Sequence, residues 1–516
     1  MEAVHSPLIA GLMNPAIYPH PCTHVELVET HISWVLLTGL RAYKIKKPVD
    51  LGFVNFTTLE RRRHFCEEEL RLNRRTAPDL YLEIVPITGS VENPQIGGNG
   101  PVIDYAVCML QFDQHKLLSN LSLNELQPVQ VDALADQCAE LHRHALVAKT
   151  TSVFGSPEKI MKPVCENFDA LRDGDESIRT LSNTLKEQTE LQFSRLRHVF
   201  DDRKRNGMVR ECHGDLHLGN MFLQNDQVTV FDGIDFSEDL RWIDIVSDVA
   251  FTVMDFEDRG YHHLANRFLN RWLERTGDYA GLHVLPFYCV YRAVVRAKVD
   301  VIRMLQPSLS FSDRRHLAND CRGYLELAQR YTVTRRPALM ITMGPSGSGK
   351  TTAAQRLIDS TDTVRIRSDV ERKRLYGLAP EALSTPELKA KMYSADATAA
   401  TYDHLARLAN QVIDAGFPVV VDATFLKHAE RERFSRLADV LGVPFLIIEC
   451  TVTQSKLRER IRQRQQGSPD ASEADQIVLQ SQLQTMEPTD SKEQQCVIDA
   501  DAGNLAELVQ RRMSTV

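Results

Sequence analysis

The chain has 516 residues and a formal net charge of −8, which argues against a protein whose main partner is bulk nucleic acid. With 43% hydrophobic and 25% charged residues it has the composition of a globular protein, long enough for roughly two to four folding units. Its ten cysteines form no C-x-x-C pair, which favours a reducing, cytoplasmic location. We expect neither a signal peptide nor a membrane span, because long apolar runs are lacking.

The N-terminal region, from about residue 25 to residue 110, shows the short alternating patterns of β-strands. Two strands over Val35–Gly39 and Ala42–Ile45 are predicted to form a hairpin. Lys44 and Lys46 stand two residues apart in the second strand, so their side chains lie on one face. Either lysine is a candidate for binding phosphate oxygens.

A charged helix is predicted to follow over Leu59–Arg75. Glu69 lies three residues after Cys66, so both are expected on the inward face of this helix. Two further strands are predicted over Leu80–Thr88 and Pro101–Phe112, separated by a glycine-rich loop.

From about residue 118 to residue 329 the chain is predicted to be mainly helical, with one interruption that contains the segment His213–Asn220, HGDLHLGN. The spacing from Asp215 to Asn220 is that of the protein-kinase catalytic loop H-R-D-L-x-x-x-N. In such a loop the aspartate approaches the substrate hydroxyl and the asparagine holds Mg²⁺. Gly214 replaces the arginine of protein kinases, which favours a small-molecule substrate.

A second acidic motif ends the strand that follows, in the sequence VTVFDGIDF. Kinases place a magnesium-binding aspartate at this point. Asp232 and Asp235 both qualify, and spacing alone does not separate them. A further carboxylate, Asp248, opens the next apolar helix.

The segment His213–Asn220 resembles the catalytic loop of the aminoglycoside phosphotransferases and their choline-kinase-like relatives. The resemblance implies that Asp215 is the catalytic base and that Asn220 is a Mg²⁺ ligand. It gives Asp235, which precedes an aromatic residue, a slight preference as the second ligand. It also suggests that Asp248 tethers the catalytic loop through backbone groups, although a helix-start carboxylate is an equal alternative.

The same resemblance implies an ATP site in the strand-rich region. Lys44 or Lys46 would contact the α- and β-phosphates, with Glu69 as the partner carboxylate. No G-x-G-x-x-G occurs near Thr38–Leu40, so the phosphates must be covered in another way.

A linker is predicted over Tyr331–Pro337. After it, the sequence pattern predicts strands that alternate with helices. This alternation predicts βαβ units and a parallel sheet. The predicted strands are Leu339–Met343, Val364–Ile366, Val419–Val421, Phe445–Cys450 and Cys496–Ile498.

Directly after the first of these strands, the segment Gly344–Thr351 fits G-x-x-x-x-G-K-[ST] at every fixed position. Backbone amides of such a loop, with the following helix N-terminus, form a nest for phosphates. Lys350 is expected to reach the β- and γ-phosphates as a catalytic residue, and Thr351 is expected to bind Mg²⁺. The predicted nucleotide-binding residues are Gly344, Pro345, Ser346, Gly347, Ser348, Gly349, Lys350, Thr351 and Thr352.

Two aspartates follow later strands of this region. Asp369 lies just after the second strand, at the edge where ligands bind in open α/β sheets, and could accept a proton from a substrate hydroxyl. A helix cap is the alternative use of this residue. Asp422 ends a buried strand in the manner of a Walker B aspartate and could orient the Mg²⁺ shell, or merely end the strand.

A basic helix over Lys456–Arg464 places Arg460 and Arg464 on one face. In a small kinase such arginines clamp phosphates from a lid. A solvated helix face is the alternative.

From about Leu339 to Val516 the chain resembles the P-loop kinases grouped with polynucleotide kinase, gluconate kinase and the zeta-toxin-like enzymes. The resemblance implies that Asp369 is the substrate base. Substrates vary widely in this group, so the resemblance implies no particular acceptor.

The whole chain is therefore predicted to contain an α+β protein-kinase-like two-lobed domain followed by an α/β P-loop NTPase domain with a doubly wound parallel sheet. The first domain would span residues 1–331, with lobes of about 1–112 and 113–331, and the second residues 332–516. Both would use ATP and Mg²⁺ to phosphorylate hydroxyl groups of small molecules.

Two other functions are compatible with these motifs. In the first, only the P-loop half is active, with nucleic-acid 5′-hydroxyl ends as a less favoured acceptor, and the other half recruits substrate. In the second, the chain is a non-enzymatic ATP-binding regulator.

Overall fold

A computed structural model describes residues 6–52, 54–122, 125–307, 309–333, 335–466 and 472–514. Contacts divide the chain into two units, Met1–Asn167 with Arg197–Asp255, and Phe168–Leu196 with Phe256–Val516. Among the helices in these ranges, none is both long enough and apolar enough to cross a membrane.

The first unit contains an antiparallel sheet of six strands in the order β1-β2-β3-β6-β4-β5. Tyr43 and Ile45 of β3 are buried in its core, which places Lys44 and Lys46 on the other face. The hairpin predicted from the sequence is confirmed as β2 and β3, whereas β5 lies in a segment predicted as loop. The elements of this region are α1 (Pro7–Leu12), β1 (Glu26–Glu29), β2 (Ser33–Leu37), β3 (Arg41–Lys46), α2 (Leu59–Asn73), β4 (Tyr81–Gly89), β5 (Pro94–Ile96) and β6 (Val102–Leu110).

The middle of the chain is helical, as predicted, apart from two short antiparallel strand pairs, β7 with β10 and β8 with β9. These strands flank the catalytic-loop motif. The elements are α3 (Pro128–His144), α4 (Pro157–Ala170), α5 (Glu176–Arg205), β7 (Val209–Glu211), β8 (Met221–Gln224), β9 (Gln227–Val230), α6 (Glu238–Arg241), β10 (Trp242–Asp244), α7 (Ile245–Asp258), α8 (His262–Thr276), α9 (Leu285–Met304) and α10 (Phe311–Thr332).

The C-terminal part forms a parallel sheet of five strands in the order β12-β13-β11-β14-β15. All five strands predicted from the sequence are confirmed. Met340 and Ile341 point to opposite faces and are both fully buried, so the sheet is covered on both sides. The elements are β11 (Leu339–Met343), α11 (Lys350–Ser360), β12 (Val364–Arg367), α12 (Ser368–Leu375), α13 (Pro386–Met392), α14 (Ala395–Asp414), β13 (Val419–Asp422), α15 (His428–Leu441), β14 (Phe445–Glu449), α16 (Gln454–Gln466), α17 (Gln476–Thr485), β15 (Val497–Asp499) and α18 (Leu505–Ser514).

The boundary between the two predicted domains falls between α10 and β11. Helix α10 ends at Thr332 and β11 begins at Leu339, so the predicted linker begins inside the last turn of the helix. The contact-based division runs elsewhere, because it groups α8, α9 and α10 with the parallel sheet. A division of function at residue 331 therefore stays a prediction.

Candidate active sites

The predicted catalytic loop lies between β7 and β8 in the first unit. The side-chain amide of Asn220 donates to both the backbone oxygen and the carboxylate of Asp215, each at 3.0 Å. The loop thus holds together Asp215 and Asn220, the two residues that the sequence predicted to act together.

Helix α7 fixes this loop through its backbone. The Asp248 carboxylate accepts hydrogen bonds from the backbone N–H of His213 at 2.8 Å and of Gly214 at 2.9 Å. The tether suggested for Asp248 is therefore present. Gly214 has φ +87°, and a Cβ there would lie 2.7 Å from the Leu240 carbonyl oxygen, so the loop has no room for the arginine of protein kinases.

Two more residues of α7 hold the loop and were missed in the sequence. Thr252 Oγ1 donates to the Leu216 carbonyl at 2.7 Å, and Asp255 Oδ2 accepts from the Leu218 N–H at 2.8 Å. Together with Asp248 they occupy positions i, i+4 and i+7 of one helix face. Polar residues at this spacing in an otherwise apolar helix indicate a polar face, and this pattern could have predicted the role of Thr252 and Asp255.

The second acidic motif runs beside the catalytic loop. Phe231 N–H donates to the Asn220 carbonyl at 3.0 Å, and Ile234 N–H donates to the His213 carbonyl at 2.9 Å. These bonds place the segment that carries Asp232 along the segment that carries Asp215. The backbone pairing therefore brings the two motifs side by side.

Two lysines and three carboxylates form a network of ion pairs next to this segment. Lys44 contacts Asp232 Oδ1 at 2.5 Å and Glu69 Oε1 at 2.8 Å. Lys46 contacts Glu69 Oε2 at 2.8 Å and Asp235 Oδ2 at 2.5 Å. Both lysines thus share Glu69, the residue predicted to face inward from α2.

Electrostatics keep Glu69 and Lys44 of this network ionised. Burial would raise the pKa of the Glu69 carboxyl, but Lys44 and Lys46 outweigh burial and lower that pKa to about 2. Burial would likewise lower the pKa of the Lys44 ammonium, but Asp232 and Glu69 raise it well above its ordinary value. The group is a set of charges that compensate one another.

Exposure distinguishes the two aspartates that the sequence left open. The side chain of Asp235 is 6% exposed and is paired with Lys46, which is itself 1% exposed. The side chain of Asp232 is 43% exposed and Lys44 beside it is 14% exposed. The geometry therefore favours Asp232 and Lys44 as the groups that can reach a ligand, against the slight sequence preference for Asp235.

In the second unit, a cavity of about 690 Å³ opens at the carboxyl ends of the parallel strands. Its wall includes Ser346–Thr352 of the P-loop, and α11 begins at Lys350. Thr351 Oγ1 donates to Asp422 Oδ2 at 2.8 Å, which joins the two predicted metal-binding residues. Ser348 Oγ is buried and has no hydrogen-bond partner among the described residues, so this hydroxyl can donate to a bound phosphate.

Asp369 lines the same cavity from the first turn of α12. The N-cap of this helix is Arg367, and no side chain makes the capping hydrogen bond, so the helix-cap alternative for Asp369 is not what the structure has. Arg367 and Arg372 line the cavity on either side of Asp369 along the chain. The carboxylate is therefore available to a molecule in the cavity.

The basic helix α16 closes one side of this cavity. Lys456 and Arg460 line it, and an Arg460 guanidinium nitrogen donates to the Gly347 carbonyl at 3.1 Å. Leu457 and Ile461 lie on the neighbouring face of the helix and are buried. The side chain of Arg464 lies outside the described part of the chain, so its predicted place beside Arg460 is untested.

Gln482 of α17 also contacts the P-loop, and no sequence pattern indicates this contact. Its side-chain oxygen accepts a hydrogen bond from the Ser346 N–H at 2.8 Å. The contact joins residues 136 positions apart, which no local pattern can reveal.

Replacement of Asp248 by asparagine is expected to destabilise the first unit by about 1–3 kcal/mol, because a buried backbone N–H of the catalytic loop loses its acceptor. Urea unfolding of the whole chain measures this change. Asp258→Asn, at an exposed position of the same helix, serves as the control and should leave stability unchanged. Equal stability of both variants would contradict the tether.

Two family comparisons agree with these sites. Residues 64–285, which include Glu69, Asp215, Asn220 and both strand aspartates, match the model of the Phosphotransferase enzyme family. Residues 339–489, which include the P-loop, Asp369, Asp422 and Arg460, match the model of an AAA domain. A protein of Mycobacterium tuberculosis strain H37Rv, named only as uncharacterized, is 28% identical over 458 residues, covering 88% of this chain and 89% of its own.

Two solved structures are each similar to one part of the chain. A choline/ethanolamine kinase family protein from Mesorhizobium loti covers 63% of this chain and 96% of its own, with 9% identity and a TM-score of 0.38. A gluconokinase from Sinorhizobium meliloti 1021 covers 35% of this chain and 91% of its own, with 24% identity and a TM-score of 0.22. The chain thus joins a kinase-like domain, which matches the model of the phosphotransferase enzyme family, to a P-loop domain in one polypeptide.

Proposed function

We propose that each half of the chain transfers the γ-phosphoryl group of ATP to a hydroxyl group of a small molecule. Two kinase-like domains indicate phosphotransferase activity. One observation carries the proposal, and it is made in both halves of the chain. A carboxylate suited to accept a hydroxyl proton lies among residues suited to hold phosphates and a divalent ion.

In the first site, Asn220 and the exposed Asp232 would hold Mg²⁺, and Lys44 would contact phosphate oxygens. Lys46 and Asp235 are buried and would instead keep Glu69, and through it Lys44, in place. Asp215 would orient the acceptor hydroxyl and take its proton.

In the second site, the P-loop amides and Lys350 would bind the phosphates, and Thr351 with Asp422 would hold Mg²⁺. Asp369 would accept the proton of the acceptor hydroxyl, and Arg460 would offset negative charge from the lid side. When bound, Mg²⁺ neutralises charge on the phosphate oxygens. The residues of the chain position the reactants and move the proton.

A metabolite pool incubated with γ-labelled ATP and the full chain tests this proposal. Asp215→Ala and Lys350→Ala are each expected to lower the formation of a different set of labelled products by about 100-fold or more. Each variant lacks a group that is needed for phosphoryl transfer at one site. Melting temperatures equal to that of the unaltered chain provide the folding control. The proposal fails if no product is labelled or if both variants lose the same products.

A further inference from the structure

Strand β12 is an edge of the parallel sheet, and helix α8 covers it. The Asn270 side chain accepts from the Arg365 N–H at 2.7 Å and donates to the Thr363 carbonyl at 3.1 Å. The Asn266 amide donates to the Thr361 carbonyl at 2.9 Å. Helix α8 belongs to the same contact unit as the sheet, yet it lies in the segment that matches the phosphotransferase family.

One turn further along α8, the Glu274 carboxylate binds two arginines of this strand. Arg367 donates to Oε1 at 2.9 Å and Arg365 donates to Oε2 at 3.1 Å. The two arginines reach the same carboxylate because alternate residues of a strand share one face. Glu274 is 3% exposed, and although burial would raise its pKa, Arg367 and Arg365 hold that pKa below its ordinary value.

The end of α8 also holds helix α12, which carries Asp369. Arg374 donates to the Glu274 carbonyl at 2.6 Å and to the Glu371 carboxylate at 3.1 Å. The helix ends at Gly277, where φ is +73° and a Cβ would lie 2.8 Å from the Arg374 guanidinium. Helix α8 therefore contacts the segment before Asp369 and the segment after it.

These contacts lead from Glu274 into the cavity. Arg367 lines the cavity, whereas Arg365, which shares the same carboxylate, does not. Arg367 precedes Asp369 by two residues. Without its carboxylate partner, Arg367 would no longer fix the end of β12, and α12, which carries Asp369, begins at the next residue.

We propose that Glu274 is a positioning residue of the P-loop site, which acts through Arg367 to hold in place the segment that carries Asp369. The inference rests on the phosphoryl-transfer function proposed above. It makes helix α8, from the phosphotransferase-family segment, a structural part of the second active site. Glu274 itself touches no reacting atom.

ATP turnover with water as acceptor tests this role, in full-length chains that all carry Asp215→Asn so that only the second site contributes. Glu274→Gln is expected to lower turnover by about 10- to 100-fold, the usual effect of a displaced catalytic group. The affinity for Mg²⁺·ATP should change less than about threefold, since Glu274 does not line the cavity. The double variant Glu274→Gln with Arg367→Gln should turn over ATP no more slowly than Arg367→Gln alone, because both changes act on the same interaction. If the loss of turnover in the double variant were the product of the two single losses, the proposal would be overturned.

Glu381→Gln is the matched control, because Glu381 pairs with Arg271 and Arg275 of the same helix but lines no part of the cavity. It should leave turnover unchanged. Hydrogen–deuterium exchange of residues 364–375 should rise in Glu274→Gln and not in Glu381→Gln.

Unchanged exchange of this segment in Glu274→Gln would overturn the role of Glu274 whatever the turnover. If the Lys350→Ala variant turned over ATP as fast as the parent chain, the proposed function of the P-loop site would fail instead. The exchange measurement would then still decide the role of Glu274.

Discussion

Replacing Asp369 by asparagine is expected to slow phosphoryl transfer at the P-loop site by about 10²- to 10⁴-fold, the usual contribution of a general base. An amide of the same size keeps the cavity intact but cannot accept the proton of the acceptor hydroxyl. Nucleotide affinity should stay unchanged, because Asp369 lies outside the P-loop. Label transfer from γ-labelled ATP and equilibrium binding of Mg²⁺·ADP measure the two quantities.

Asp359→Asn is the control for this prediction. Asp359 is exposed at the end of α11 and does not line the cavity. A loss of nucleotide affinity equal to the loss of transfer would show that Asp369 serves binding and not proton transfer. Transfer at the unaltered rate would exclude it as the base.

Replacing Glu69 by glutamine is expected to destabilise the first unit by about 3–5 kcal/mol, because it removes the carboxylate that the buried Lys46 and the largely buried Lys44 share. Lys44 and Lys46 both contact Glu69 at 2.8 Å, and Glu69 is fully buried. Chemical unfolding of the whole chain measures the change. Glu67→Gln, exposed on the same helix, should change stability by less than about 0.5 kcal/mol.

The same carboxylate predicts how stability depends on pH. The pKa of Glu69 falls from 4.5 to about 2 on folding, so its contribution is fully present above pH 4.5. It is lost as the pH falls from 4.5 through about 2, and the difference corresponds to about 3 kcal/mol. The Glu69→Gln variant should lack this part of the acid dependence. Parallel stability curves for the two chains between pH 5 and pH 2.5 would contradict the network.

Most of the features that could be predicted from the sequence are local motifs. The loop His213–Asn220 and the P-loop carry their residue types at fixed spacing, so one short window is enough to predict them. The parallel strands were also predicted, because each is a short apolar run between helical stretches. These features depend on neighbours in the sequence.

The other features of the two sites depend on contacts between residues that are far apart in the sequence. The choice between Asp232 and Asp235 depends on Lys44 and Lys46, which lie nearly 190 residues earlier. Gln482 reaches the P-loop across 136 residues, and Glu274 reaches Arg367 across 93. Such partners are brought together only by packing, so no periodicity or spacing indicates them.

The asparagines that cover β12 bear on where the chain can be cut. An edge strand with unpaired N–H and C=O groups is a template for pairing with another chain. A fragment that starts at residue 332 would lack Asn266 and Asn270, so backbone N–H and C=O groups on the outer edge of β12 would be unpaired. We expect such a fragment to self-associate. A fragment that starts before α8 would keep this edge covered and stay monodisperse.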